Sequence, residues 1–393
     1  IYTSDVSSAA SDVYKRQTLS SPEPISTEAK VVPIKRAPGS APSVWVVTGY
    51  RAGERVQVMA LAEALGWPCQ VKDLDYRRVA STLSLFRTRS RLGINRTGSA
   101  KLKPPWPDVV ITAGMRNEPV CRWIRAQSGG RTRIVHVGRP WVSLEQLDLV
   151  ITTPQYRLPE RANVLQNALT MHGVTPQRLA AEADRWAPRF ADLPRPWIAV
   201  IVGGNSGPYT LGRKAARRLA AEASEFAAGR GGSLLVTTSA RTAPAAMQEL
   251  GRRIQAPAHI YQWQQDDLDN PYYGYLALAD EFIVTADSIS MLSEACATGK
   301  PVHMFDLGTG RAAMRLQAEA GDNDLRLSGL LYRALMRWGP QRLSRDITLV
   351  HQRLLREGRV SWLGEAGPVG ATPGLQDIDR AVARVKALVD NAV

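Results

Sequence analysis

Three stretches of the sequence carry residue types that suit a phosphate or a sugar. The first is GYRAGERVQ (49–57), where Gly49 and Gly53 stand between an apolar run and a helical pattern. Glycine permits a left-handed turn and close backbone approach there, and a helix start offers free N–H groups to an anion. Asp73 follows at about the distance expected of a ribose-binding acid, but the third glycine of a dinucleotide fingerprint is missing. A simple tight turn fits the loop equally well. The second stretch, Gly203, Gly204, Asn205 and Ser206, ends another apolar run. Its backbone N–H groups would wrap a phosphate, or the loop is a plain strand-to-helix turn. The third stretch, VTADSISMLSEACATGKPVHMFDL (284–307), says most. Asp287 or Ser288 caps a helix that Gly299 and Pro301 end. Met291, Leu292, Ala295 and Cys296 form its apolar face, with Ser290, Ser293, Glu294 and Ala297 on the other side. Small residues at the helix start leave room for a diphosphate, and Glu294 would accept two ribose hydroxyls. A solvent-facing glutamate in an ordinary crossover helix is the alternative.

Other chemistry finds less support. Short-chain reductases need a tyrosine four residues before a lysine, and no tyrosine here has that neighbour. DDLD (266–269) resembles a metal-binding DxD but reads as a solvated loop, since Mg²⁺ needs a converging set of oxygens. Cys69, Cys121 and Cys296 lie far apart and make no metal spacing with the five histidines, which fits a reducing cytoplasm and predicts no metal site. The net charge of +14, mostly arginine, is compatible with nucleic acid, an anionic membrane or nucleotide substrates. A hydrophobic fraction of 44% with 22% charged excludes a wholly disordered or fibrous chain.

The elements that must position these residues are strands alternating with helices. At roughly 150 residues per domain, the 393 residues suggest two domains. Ser7 to Gln17 reads as an adapter-like remnant, and 18–43 as a disordered leader rich in Pro, Ser and charge. Apolar strands are predicted at 44–48, 108–112, 133–138 and 147–153, then at 197–205, 233–239, 281–286 and 301–307. Continuous apolar strands between helices indicate parallel sheets covered on both faces. The chain therefore divides into 44–175, a helical linker at 176–196, a second unit at 197–325 and a helical tail at 326–393. In the tail, Leu327, Leu330, Leu331 and Leu335 share one helix face with arginines opposite. That predicts a packed helix with a solvated basic face, or else a helix lying on a membrane surface. Arg87, Arg89, Arg91, Arg96, Lys101 and Lys103 interleave with Leu83, Leu85, Phe86 and Leu92. This basic, apolar-tipped loop is either simply solvated or suited to a lipid-linked acceptor at an anionic leaflet. No nucleic-acid-binding module is visible, so none is expected as a partner.

A Gly-Gly loop followed by a SxxxxSEAxxxGxP helix resembles the donor half of MurG-type GT-B glycosyltransferases. More specifically, WVVTGYRAGERVQVMALAEALGW, PDVVITAGMRNEPVCRWIR, VHVGRPW, LDLVITTPQYRLPERANVL, VIVGGNSGPY, LLVTTSARTAP and NPYYGYLALADEFIVTADSISMLSEACATGKPV are similar to the family of the plant Elm mitochondrial fission protein and its glycosyltransferase-like bacterial homologues. These strings span 44–307. The resemblance implies two Rossmann-like domains facing a cleft, in the GT-B manner. It also implies a nucleotide-sugar as substrate with no cofactor or metal, and a cell-envelope glycan or lipid as acceptor. The implied setting is the cytoplasm, with peripheral contact at the inner membrane.

The same resemblance places Gly203, Gly204, Asn205 and Ser206 at the donor diphosphate, with polar support from Ser239, Arg241 and Thr242. Asp287, Ser288 and Ser290 fall at the phosphate or sugar, Glu294 at the ribose, and Asn270 and Tyr272 beside the nucleobase. On the acceptor side it implies Gly49, Gly53, Gln57, Gly114, Arg116 and Arg139. The family's bacterial members carry an acid where this chain has Tyr50, and Asp-Asn where it has Glu54-Arg55. MurG-like enzymes have a histidine in this loop, which makes Glu54 the first candidate for the general base and Glu118 the second. The plant relative is a fission adaptor that recruits a dynamin-like protein, so a non-catalytic binding module on the same fold is the alternative.

Overall fold

The eight apolar runs all become strands, and they are the inner strands of two six-stranded parallel sheets. The protein is described from a computed structural model covering residues 40–48, 52–77, 89–265, 267–315, 319–365, 367 and 376–390. The leader up to residue 39, Gly49, Tyr50, Leu83, Leu85, Phe86, Arg87 and Asp266 lie outside the described residues.

The first sheet runs β2 (Cys69–Asp73), β1 (Val44–Thr48), β3 (Val109–Ala113), β4 (Arg133–Val137), β5 (Leu149–Thr152) and β6 (Val164–Gln166) in spatial order. Side-chain alternation along β1 sends Val44 and Val46 to one face and Trp45 and Val47 to the other. The first face meets α1 (Ala52–Leu65) through Val58, Leu61 and Leu65. The second meets α2 (Glu118–Gln127) through Val120, Cys121 and Ile124.

The second sheet runs β12 (Ser361–Trp362), β11 (Val302–Phe305), β10 (Glu281–Thr285), β7 (Trp197–Ile201), β8 (Ser233–Thr237) and β9 (Ala258–Tyr261). Around it lie α3 (Pro176–Phe190), α4 (Arg213–Ala228), α5 (Pro244–Arg253), α6 (Tyr272–Leu278), α7 (Ile289–Ala297), α8 (Leu327–Trp338) and α9 (Thr348–Arg356). The expected linker helix α3 is part of this domain. Trp186 and Phe190 are buried in its core, and a Cβ on Gly274 of α6 would lie 2.5 Å from the Trp186 ring. Two Rossmann-like, doubly wound domains facing a cleft make a GT-B-like architecture.

Residues 326–393 do not form one tail. The helices α8 and α9 and the strand β12 stay with the second domain, whereas α10 (Gln376–Asp390) returns to the first. There Ala381, Val385 and Val389 are fully buried beside α1. The expected orientation of α8 is also corrected. Leu327, Leu330, Leu331 and Trp338 are 74, 50, 62 and 78% exposed. Its inward side carries Gly329, Tyr332 and Arg333. A Cβ on Gly329 would meet the Pro208 carbonyl at 3.2 Å, Tyr332 lies against Gly207, and Arg333 donates to the Ala312 carbonyl at 3.2 Å. The helix is seated by backbone proximity and polar contacts, which leaves Leu327, Leu330 and Leu331 outside while Leu335 is half-buried.

Candidate functional site

Strand order fixes where the site lies. In the first sheet the winding reverses between β1 and β3, and in the second between β7 and β10. Ligands in open parallel sheets bind beyond the carboxyl ends of the strands at such reversals. The chain leaving β1 enters α1, and the chain leaving β3 passes Gly114. The chain leaving β7 makes the Gly203 loop, and the chain leaving β10 enters the Asp287 turn. The two reversals come together, since a Cβ on Gly53 in the first turn of α1 would lie 3.9 Å from Ser290 Oγ in the first turn of α7.

On the first-domain side, Glu54 reaches across to the turn after β3. Gly114 adopts φ +81°, and a Cβ there would stand 2.5 Å from Glu54 Oε2. Only glycine meets both demands. Arg116 follows in the same turn, and its charge acts on the Tyr76 phenol. Gln57 donates to the Gly53 carbonyl at 3.0 Å, a contact within its own helix. Arg55 pairs with Asp73, which accounts for the acid that the sequence spacing had suggested for a ribose.

Glu118, the second candidate base, is taken up by the protein's own backbone. It is 2% exposed and accepts the Trp141 and Val142 N–H groups at 2.7 and 2.9 Å. Its carboxylate anchors the chain after β4, beside a buried His136 held as a neutral ring with its pKa lowered by desolvation to about 4. Arg139 bridges to the other domain, donating to the Gln341 and Ser344 carbonyls at 2.7 and 2.9 Å.

On the second-domain side the glycine loop is closely bound by its own chain. Gly203 N–H donates to Thr285 Oγ1 at 2.7 Å, and Gly204 N–H to Asp287 Oδ2 at 3.0 Å. Ser239 Oγ donates to the Gly203 carbonyl at 2.7 Å, and Thr242 Oγ1 bonds to the same oxygen. Ser206 N–H donates to the Tyr209 carbonyl at 3.0 Å, and Asn205 Oδ1 accepts the Leu211 N–H at 3.0 Å. A Cβ on Gly203 would meet the Asp287 carboxylate at 2.5 Å, and one on Gly204 the Arg241 carbonyl at 2.2 Å. Both glycines thus admit protein groups first.

Asp287 is fully buried, and desolvation raises its pKa against the pull of Arg241, whose Nη2 lies 3.2 Å away. Its other oxygen, Oδ1, has no hydrogen-bond partner. Arg345 donates to Ser206 Oγ at 2.6 Å, from a segment that no pattern in the sequence connects to this loop.

Ser288 and Ser290 stand at the start of α7. Ser288 is the N-cap residue of this helix but makes no side-chain cap bond. Ser288 is 7% exposed with its N–H on the Thr285 carbonyl at 3.3 Å, and Ser290 follows in the first turn, where helix amides lack intrahelical partners. One turn on, Glu294 is 7% exposed and accepts the Tyr272 hydroxyl. Burial lifts its pKa to about 7 and pushes the Tyr272 phenol well above its usual range. Arg178 stacks 3.4 Å over the Tyr273 ring beside this pair. Asn270 Oδ1 accepts the Tyr272 N–H at 3.0 Å and so opens α6. In the DDLD loop, Asp267 accepts the Tyr261 hydroxyl and Asp269 pairs with Arg185 and Arg189. Among the described residues, no group of three or more His, Cys, Asp or Glu is placed to hold a metal ion.

The profile of the family described as mitochondrial fission ELM1 matches residues 52–388. The chain belongs to that family. A member from Arabidopsis thaliana, mitochondrial fission protein ELM1, is 28% identical over 220 residues, covering 50% of this chain and 51% of its own. The match therefore spans about half the length of this plant ELM1. An uncharacterized protein of Rickettsia prowazekii (strain Madrid E) is 23% identical over 299 residues, 67% of this chain and 83% of that one. Among solved structures, the S. aureus MnaA–UDP co-structure is 12% identical with a TM-score of 0.46, covering 90% of this chain and 98% of that chain.

Proposed function

We propose that this ELM1-family chain is a glycosyltransferase that takes a sugar from a nucleotide-sugar and passes it to a cell-envelope glycan or lipid. The observation that carries the reading is the approach of α1 and α7 at the two sheet reversals, where a Cβ on Gly53 would lie 3.9 Å from Ser290 Oγ. Two helix starts converging on one place favour an anion between them. The diphosphate belongs at Ser288 and Ser290, with Arg241 at its edge. Gly203 and Gly204 act indirectly, by letting Asp287 hold the loop. Glu294 and Tyr272 receive the ribose, with Asn270 setting the start of α6. For an inverting transfer, Glu54 takes the acceptor hydroxyl proton as that oxygen bonds to the anomeric carbon and the sugar–diphosphate bond breaks. Helix-end donors and Arg241 stabilise the departing diphosphate. Domain closure excludes water. The first domain's basic loop around Arg89 and Arg96 would serve a lipid-linked substrate at the inner membrane.

The test is thermal unfolding and calorimetry of the whole chain against UDP, GDP, CMP and their sugars. One nucleotide should raise the midpoint, and Glu294→Ala should weaken that nucleotide's binding by about tenfold, as loss of a charged hydrogen bond does. If no nucleotide stabilises the protein, the transferase reading falls. The second reading, a non-catalytic binding protein, is favoured by the loop amides already held by Thr285 and Asp287. It also agrees with the fission role in the plant relative's name.

A further inference from the structure

Among the described residues, half of the large apolar side chains left exposed fall in one short segment: Leu325, Leu327, Leu330, Leu331, Trp338 and Leu343. At 100° per residue, Leu327, Leu331 and Trp338 lie within about 40° of one another on α8, with Leu330 beside them. This is an amphipathic helix mounted with its apolar side outward. Exposed apolar area of this kind marks a surface that is covered in use.

The charge around the patch selects what covers it. Between Leu325 and Arg345 the sequence has five arginines and no acidic residue; Arg326, Arg333 and Arg345 donate to Gly207, Ala312 and Ser206, while Arg337 is exposed next to Trp338. The acids just before it are engaged elsewhere, Asp324 at the start of α4 and Asp322 with Lys214 at 3.5 Å. Trp338 ends the helix with the Arg337 guanidinium 5.9 Å from its ring. An indole beside a cation sits well at the level of lipid headgroups. Twelve residues are too short to span a bilayer, so such a helix lies in the interface plane.

We propose that α8 is a membrane-docking helix, which lays Leu327, Leu330, Leu331 and Trp338 into an anionic bilayer surface with Arg337 against the phosphates. The proposal is independent of any nucleotide in the cleft. It also ties the bilayer to the glycine loop. Tyr332 of α8 packs on Gly207, its hydroxyl accepts the Arg345 N–H at 2.9 Å, and Arg345 holds Ser206.

The experiment is co-sedimentation of the full chain with phosphatidylcholine vesicles, with and without phosphatidylglycerol. The wild type should bind the phosphatidylglycerol vesicles, and the bound fraction should fall as salt is raised. Leu331→Glu with Trp338→Ser should lower affinity by about tenfold or more without moving the thermal midpoint, since both side chains are exposed. Arg337→Glu alone should weaken binding to the anionic vesicles only. Absence of binding, or binding untouched by these substitutions, overturns the proposal. So does a double variant that loses self-association in size-exclusion chromatography while neither protein binds vesicles, which would assign the face to a second copy.

Discussion

Glu294 is the residue whose environment most constrains the chemistry. Its carboxyl has a pKa of about 7 in the folded protein against 4.5 normally, because burial penalises the charged form. The native state therefore holds this proton more tightly than the unfolded chain does. The contribution to stability is full below about pH 4.5 and is lost as pH rises through about 7. Wild type should lose up to about 3 kcal/mol relative to Glu294→Gln between about pH 5 and about pH 8. Urea unfolding of both proteins at the two pH values measures this. The comparison cancels His136 and His351, whose lowered pKa values act in the opposite direction. A parallel pair of curves would show that the carboxyl is not perturbed. At this scale the sequence indicated where polar side chains gather but not what they touch. Glu54 and Glu118 looked alike as acids near helix starts. Only packing separates a carboxylate that reaches Gly114 in the turn after β3 from one that holds two backbone amides beside His136.

Among the elements, α4 shows how a helix start is satisfied from far along the chain. Its N-cap is Gly212, which has no side chain to offer, and Asp324 instead accepts the Gly212, Lys214 and Ala215 N–H groups at 3.1, 3.2 and 2.9 Å. Asp324→Ala should cost about 1–2 kcal/mol, the range for losing a cap, and Asp324→Asn should recover part of it. Chemical denaturation reads both, and an unchanged midpoint in Asp324→Ala would remove the cap from the account. The strands were legible where the sheet buries both faces. The central strands β1, β3 and β7 are almost wholly apolar because every side chain is covered. The four strands the pattern did not reveal, β2, β6, β9 and β12, are the four sheet edges. In β2, CQVKD is almost wholly exposed, and such a strand needs no apolar period. Periodicity also identified α8 as amphipathic, but it has no sign that says which side faces the protein.

At the scale of the whole molecule, the segment between α8 and α9 fastens the two domains. Arg139 grips its carbonyls, Arg157 pairs with Asp346, and Asp346 N–H donates to the Gln155 carbonyl at 2.9 Å. Partly exposed charge pairs like Arg157–Asp346 contribute about 0–1 kcal/mol, so Arg139→Ala with Arg157→Ala should barely alter unfolding. It should instead widen the cleft, seen in small-angle scattering as a larger radius of gyration. An unchanged radius would mean that the Thr170–Ser293 contact and the packing around it suffice to hold the domains. The return of α10 has a consequence for how the protein comes into being. The first domain's sheet is complete once β6 has been made, yet one face of it waits for Ala381, Val385 and Val389. The second domain, built of residues in between, has all its strands by Trp362. On the ribosome, the domain that starts first is therefore finished last, and its bare valines around α1 are what a chaperone would meet during that interval.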